Sequence, residues 1–328
     1  MEMREFVECA LRPRADEWEQ AGAFPNQVFM DLADRGWLGL KFPARYGGGD
    51  DPVADAVLAE ELARCGSGGV AAGVGAHTGI ALPPIWRFGS EDHKQRYLVP
   101  GLRGEVIAAL AITEPDAGSD VASLRAHARR VPGGYRLNGA KTYITGGVRA
   151  DILVTAVRTG PATGHDAISL LVVERGAGVH STPLAKLGWH ASDTAQVSFD
   201  DVFVPSDNLL GDEGRGFYLI MANFQWERLL MALSAIGAMQ AMFEQTLRHV
   251  QGAGATTTSH QVGACAATTS QALRHQLAEI AVQIQAGRDV TYAALRRYLT
   301  GVDATPAVIG GRVYVGAFNG KLFCLGEK

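Results

Sequence analysis

The sequence is poor in cysteine: its 328 residues hold four, Cys9, Cys65, Cys265 and Cys324, far apart and without a CxxC pair. That spacing indicates neither a zinc site nor a disulfide framework and favours a reducing, cytoplasmic setting. An excess of one charge is also missing. Thirty Lys and Arg stand against 34 Asp and Glu, a net of -4, so no polybasic face is available for nucleic acid or an anionic membrane. Long apolar runs are absent too. The least polar stretch, Gly68 to Pro84, is mostly Gly and Ala and is interrupted by His77, so it is no membrane span. Met1 to Arg14 is charged and helix-like, without the apolar segment of a signal peptide. The strings Gly73-Val74-Gly75 and Gly252-Ala253-Gly254 do not lie between a strand and a helix, which argues against a Rossmann dinucleotide site.

What is present divides into zones of different period. Residues 1–110 read as helical: Ala15 to Glu19, Asn26 to Arg35 opened by Pro25, Val53 to Arg64, and a helix from Ser90 to Leu98 with Ser90 as its N-cap. Residues 111–213 change to period two. Strands are expected at Gly134 to Thr145 with a turn at Asn138-Gly139, at Ile152 to Arg158, at Ile168 to Glu174 and at Ala195 to Phe199. Residues 214–304 return to helix, with Gly214 to Val250 apolar around most of its circumference and Gln271 to Leu299 following. Such a helix sits inside a bundle or against another subunit. The fold class is therefore α+β: an N-terminal helical domain, a central small β-barrel or sandwich, a C-terminal helical bundle and a terminal β-hairpin. Two stretches break the pattern. Residues 251–270 lack Asp, Glu, Lys and Arg and read as a flexible linker. Residues 305–328 switch to strand, with a hairpin turn at Asn319-Gly320.

Four segments could carry chemistry. Thr113 to Asp120 offers a turn with free amides and hydroxyls. Tyr143 to Gly147 puts an aromatic face beside small residues that let a planar group approach. Leu187 to Thr194 precedes a strand. Glu227 lies in the most apolar helix, with Asn223, Phe224, Leu230 and Met231 three or four positions away, an environment that raises a carboxylate towards general-base range. Taken singly, each has an ordinary explanation: a capped loop, a packed aromatic, a surface turn, a solvated Glu-Arg pair.

In this order and spacing the four segments resemble the acyl-CoA dehydrogenase family. The matching stretches include Ile112-Thr113-Glu114-Pro115-Asp116-Ala117-Gly118-Ser119-Asp120, Leu187 to Thr194, and Asp200 to Pro205 followed by Gly214 to Phe217. The resemblance covers about residues 5–249 and 271–304. It implies FAD held without a Rossmann fold, an acyl-CoA substrate, electron-transferring flavoprotein as acceptor and a homotetramer. Members of the family oxidise the thioester to its 2,3-enoyl form: a carboxylate takes the α proton and hydride passes to flavin N5. Matched residue by residue, Ile112, Thr113, Gly118 and Ser119 correspond to the first flavin loop, with Ser119 also facing substrate. Tyr143, Ile144 and Thr145 correspond to the second. Glu227 corresponds to the base of the subset that carries it before a helix Arg, and Phe224 and Arg228 line the substrate site. His190 stands where Arg is frequent.

The chain also departs from that pattern. The family's Arg-x-x-Phe-Gly segment is replaced by residues 251–270, and its later His-Gly-Gly stretch is absent. Residues 305–325 instead resemble one blade repeat of a quinoprotein-type β-propeller. Two expectations follow: a working dehydrogenase, or a truncated, non-catalytic relation with impaired FAD binding.

Overall fold

The computed structural model describes residues 2–160, 164–255, 270–301, 308–309, 312–316 and 322–325. The architecture runs α, then β, then α, as the periodicities indicate. The first part contains α1 (Glu2–Phe6), α2 (Ala15–Ala21), α3 (Gln27–Ala33), α4 (Pro52–Leu62), α5 (Gly68–Gly75), α6 (Leu82–Phe88), α7 (Glu91–His93) and α8 (Val99–Leu102). Local chemistry explains the starts. Asp51 caps α4 by accepting from the amides of Val53 and Ala54, with Pro52 at the first helical position. Ser90 caps α7, and His93 returns the bond by accepting from the Ser90 amide.

Residues 68–81 are helical despite five glycines, each of which costs about 1 kcal/mol per helix position relative to Ala. Packing reverses the preference. A Cβ on Gly69 would lie 2.5 Å from the Ser192 amide, one on Gly73 2.6 Å from the Phe24 ring, and one on Gly79 2.3 Å from Leu230. These glycines let the segment approach a loop and a long helix more closely than any other residue would allow.

The central strands are β1 (Ala108–Ala111), β2 (His127–Val131), β3 (Gly134–Ile144), β4 (Ile152–Arg158), β5 (Ile168–Glu174), β6 (Val179–Pro183), β7 (Ala195–Pro205) and β8 (Leu209–Leu210). They form one sheet in the order β6-β7-β3-β2-β4-β5-β8, with β1 parallel to β4. Leu153 and Val157 of β4 and Leu171 and Val173 of β5 join a core with Leu137, Val197 and Val204. Val154, Ala156, Leu170 and Val172 face the opposite way, against Leu82, Ile85 and Ile220. Burial on both faces explains why β4 and β5 read as continuous apolar runs. The expected turn at Asn138-Gly139 is instead a bulge. β3 runs straight through it with a register shift against β7, Gly139 takes φ 142°, and Asn138 Oδ1 accepts from the Asp201 amide. The strand reversal lies earlier, at Pro132-Gly133, between β2 and β3.

The last part holds α9 (Gly216–Ala255) and α10 (Gln271–Leu299). α9 continues through Ala255, so the first five residues of the expected linker are helical; residues 256–269 lie outside the described residues. Ion pairs fasten both helices to α4. Arg64 meets Glu244 at 2.6 Å, and Glu60 accepts from Arg288 at 2.7 Å and from the Tyr292 hydroxyl at 2.9 Å. Beyond α10, β9 (Val308–Ile309), β10 (Arg312–Gly316) and β11 (Leu322–Leu325) pair antiparallel. The expected hairpin strands are thus present, while the Asn319-Gly320 turn lies outside the described residues.

The crossing of α9 and α4 depends on Gly237, where an added Cβ would lie 1.9 Å from the Glu60 carbonyl oxygen. Helix propensity alone makes Gly237→Ala stabilising by about 1 kcal/mol. The opposing atom is backbone and cannot rotate away, so we expect a net loss of about 1–3 kcal/mol. Equilibrium denaturation checks this, and an unchanged midpoint would refute the close crossing.

Candidate functional site

Two loops and one helix meet at a cleft of about 150 Å³ lined by Ile112, Thr113, Tyr143, Ile144, Thr145, Phe224 and Glu227, with Ala76, Ile80 and Leu110 completing its wall. The loops are held in register from beneath. Lys141 is fully buried in β3, and its ammonium donates to the Ile112 carbonyl at 3.0 Å and to Glu114 Oε1 at 2.7 Å. Glu114 also accepts from the amides of Arg125 (2.6 Å) and Ala126 (2.9 Å). One residue along, the Thr142 amide donates to the Thr113 carbonyl at 2.8 Å. Burial pushes Lys141 down to about 8, against the pull of Glu114. Burial alone would raise the Glu114 carboxyl, but the Lys141 ammonium and the two amides hold it below its ordinary value.

This clamp ends at a distortion. The β3–β7 register shifts between Lys141 and Ile144, and Tyr143 takes φ 57° with 72% of its surface exposed. A left-handed conformation costs a non-glycine residue about 1–2 kcal/mol. An aromatic ring held in strain and pointed at solvent serves no packing purpose, and such strain concentrates at ligand sites. Replacing it should separate stability from binding. Tyr143→Gly is expected to raise the stability of the ligand-free chain by about 0.5–1 kcal/mol, the relieved strain less the entropy of glycine, while weakening retention of a planar ligand. Loss of stability with unchanged binding would contradict the assignment.

Glu227 enters from α9, which close contacts hold against the first part of the chain. Asn223 Nδ2 donates to the Ile80 carbonyl at 3.1 Å and Arg87 donates to the Ala222 carbonyl at 3.0 Å. Glu227 Oε2 is buried with no hydrogen-bond partner. Burial raises its carboxyl to about 6, only partly opposed by Arg228. Arg228 itself is exposed beside the Phe224 ring and does not line the cleft. Gly118 and Ser119 are exposed on the Thr113 loop and also lie outside the lining. The cleft thus gathers Ile112, Thr113, Tyr143, Ile144, Thr145, Phe224 and Glu227, but not Gly118, Ser119 or Arg228. Among the described residues no cluster of three metal-ligating side chains occurs.

Sequence reading missed Leu110 and the Lys141–Glu114 clamp. The available signal was a lysine at an inward-facing position of a strand, which demands a buried partner.

The comparisons address the chain as a whole. Residues 1–105 match the profile "Acyl-CoA dehydrogenase, N-terminal domain", residues 109–202 the middle domain and residues 214–317 the C-terminal domain. An acyl-CoA dehydrogenase of Bacillus subtilis (strain 168) is 33% identical over 304 residues, 92% of this chain and 78% of its own length. The chain belongs to the acyl-CoA dehydrogenase family. The mitochondrial isovaleryl-CoA dehydrogenase of Solanum tuberosum is 37% identical over 75% of this chain, a match spanning 61% of that relative. A crystal structure of a probable acyl-CoA dehydrogenase from Mycobacterium abscessus superposes with a TM-score of 0.85 at 40% identity, covering 93% of this chain and 80% of that one. The family's enzymes are flavoprotein oxidoreductases. Its C-terminal profile runs through residues 251–270 and into the tail, so the departures in composition fall within a stretch that still matches.

Proposed function

We propose that the chain is an FAD-dependent acyl-CoA dehydrogenase that forms the α,β-double bond of an acyl-CoA thioester. The observation that carries this reading is the Glu227 carboxylate, buried, unpartnered and raised to about 6, facing the same cleft as the strained Tyr143 ring. Tyr143 suits one face of a planar isoalloxazine, and the amides and hydroxyls of Thr113 and Thr145 suit its polar edge. FAD, when bound, would accept the β hydrogen as hydride. Glu227 takes the α proton, and its raised pKa makes it a base strong enough to do so yet deprotonated at neutral pH. Phe224 and Ile80 exclude water, which strengthens the base's pull on a weakly acidic carbon acid. Ser119 and Arg228, exposed and outside the lining, are read as substrate contacts, and Gly118 as part of the cofactor loop.

Electron-transferring flavoprotein is the proposed acceptor and a homo-oligomer the proposed assembly. Exposed Met239, Met242 and Ile280 on α9 and α10 support the latter. Among the described residues no helix is long and apolar enough to cross a membrane, and the cytoplasm is the proposed location. The three short strands β9–β11 support reading the tail as one propeller-like repeat, which buries no core alone.

The test is the visible spectrum of the purified protein before and after anaerobic addition of an acyl-CoA panel. Bound flavin that bleaches with one member supports the reading. A protein that stays colourless when FAD is supplied would favour the non-catalytic alternative.

A further inference from the structure

Helix α9 borders a second cavity, of about 440 Å³, that shares no lining residue with the Glu227 cleft. Trp86, Trp226 and Tyr298 form apolar wall, Lys41 and Asn223 reach into it, and exposed Arg87 stands at its rim. Six buried side-chain polar atoms among the described residues lack a hydrogen-bond partner, and three of them belong to residues of this lining: Lys41 Nζ, Asn223 Oδ1 and Trp226 Nε1. A fourth is Glu227 Oε2, which marks the other cleft. Buried polar atoms without a hydrogen bond are costly, and three such residues lining one hollow, Lys41 among them with only its ion pair to Asp55, call for an occupant.

The groups define its chemistry. Lys41 is 8% exposed, and its ammonium lies 3.4 Å from Asp55 Oδ2, an ion pair without a hydrogen bond, and 4.6 Å over the Trp226 ring. Burial lowers the Lys41 pKa and raises that of Asp55, so the pair is poorly solvated as it stands. Lys41 and Arg87 against Asp55 leave one positive charge uncompensated among these three groups. Asn223 uses its amide nitrogen on the Ile80 carbonyl and offers only an acceptor.

We propose that this cavity binds an aliphatic carboxylate, its oxygens between Lys41 Nζ, the Trp226 indole N–H and Arg87, and its hydrocarbon against Trp86 and Tyr298. One buried cation and one indole donor suit a monoanion rather than a phosphate, which carries more charge and more acceptor oxygens. Asn223 Oδ1 is left to receive a water or hydroxyl proton from the same occupant's surroundings.

The test uses the full chain with ¹⁵N-labelled tryptophan indoles, followed by NMR during titration with sodium hexanoate and, in parallel, 1-hexanol. The Trp226 resonance, identified through Trp226→Phe, is expected to move saturably with hexanoate and not with hexanol. Lys41→Met should weaken the hexanoate response about tenfold or more, as expected for loss of a charge-assisted partner. Should that variant fail to fold, Arg87→Gln at the exposed rim is expected to weaken it severalfold. Equal shifts with hexanol, or an unchanged hexanoate response in Lys41→Met, would show an apolar hollow that does not recognise the carboxylate, and no saturation with hexanoate in the unaltered chain would show a cavity holding water alone; each overturns the proposal. None of these outcomes depends on bound flavin, so failure here leaves the dehydrogenase reading standing.

Discussion

Glu227→Gln is expected to lower the rate of flavin reduction by acyl-CoA by roughly 10²–10⁴-fold, the usual contribution of a positioned general base. Glutamine keeps the shape of the side chain and removes only its basicity, so substrate affinity should change little. The unaltered chain is expected to lose rate as pH falls through about 6, where the carboxyl protonates; the variant's residual rate should lack that limb. The same substitution acts on stability in the opposite direction. A carboxyl raised from 4.5 to about 6 by burial binds its proton more tightly folded than unfolded. Its contribution is therefore greatest below about 4.5 and is lost as pH rises through 6. At pH 8 the folded chain carries a buried, unpartnered carboxylate, and Gln relieves it by about 1–2 kcal/mol. Denaturation midpoints at pH 4.5 and pH 8 decide the matter: the gain should appear at the higher pH alone. A variant still fast would remove Glu227 from the mechanism, and one equally stable with its parent at both would contradict the raised pKa.

That carboxylate was legible in the sequence because a helix has a fixed period. Residues three and four positions from Glu227 are known without a structure, and they are apolar or amide-bearing. Strands β4 and β5 were legible for a related reason, since burial on both faces leaves mostly apolar runs, broken only by the buried hydroxyls of Thr155 and Ser169 and bounded by charged residues at Arg158 and Glu174. The segments at Thr113 to Asp120 and Tyr143 to Gly147 read as ordinary local features until their order and spacing are taken together, and only the family likeness joins them.

What the sequence leaves hidden depends on what lies across the fold. Helix α5 and the turns that follow it to Ala81 were hidden because glycine opposes helix locally, whereas the close approach of Ser192, Phe24 and Leu230 requires it. Asn138-Gly139 has the composition of a hairpin turn, yet the pairing of β3 with β7 on both sides of it makes it a bulge. Gly118, Ser119 and Arg228 belong to matching motifs but sit outside the cleft lining, because a motif fixes neighbours along the chain and not the direction of each side chain.

The clamp beneath the loops yields the other large effect. Lys141→Met leaves the Glu114 carboxylate buried with its two amide donors and no cation. Breaking a buried pair from one side costs about 3–5 kcal/mol. Glu114→Gln is expected to cost less, because the two members are not equivalent. Lys141 is already pushed down to about 8 and can shed its proton near neutral pH, while the amides of Arg125 and Ala126 go on favouring the ionised form of Glu114 once Lys141 is gone. The double variant Lys141→Met/Glu114→Gln should recover part of the loss, since no charge is then left stranded. Flavin retention should not recover with it. The Ile112 carbonyl loses its tie to β3 in both the single Lys141 variant and the double one, so the Thr113 and Tyr143 loops are no longer held in one register by that side chain. Stability restored without flavin would show that the pair positions the cleft as well as supporting the fold. Flavin restored together with stability would reduce the clamp to a packing feature.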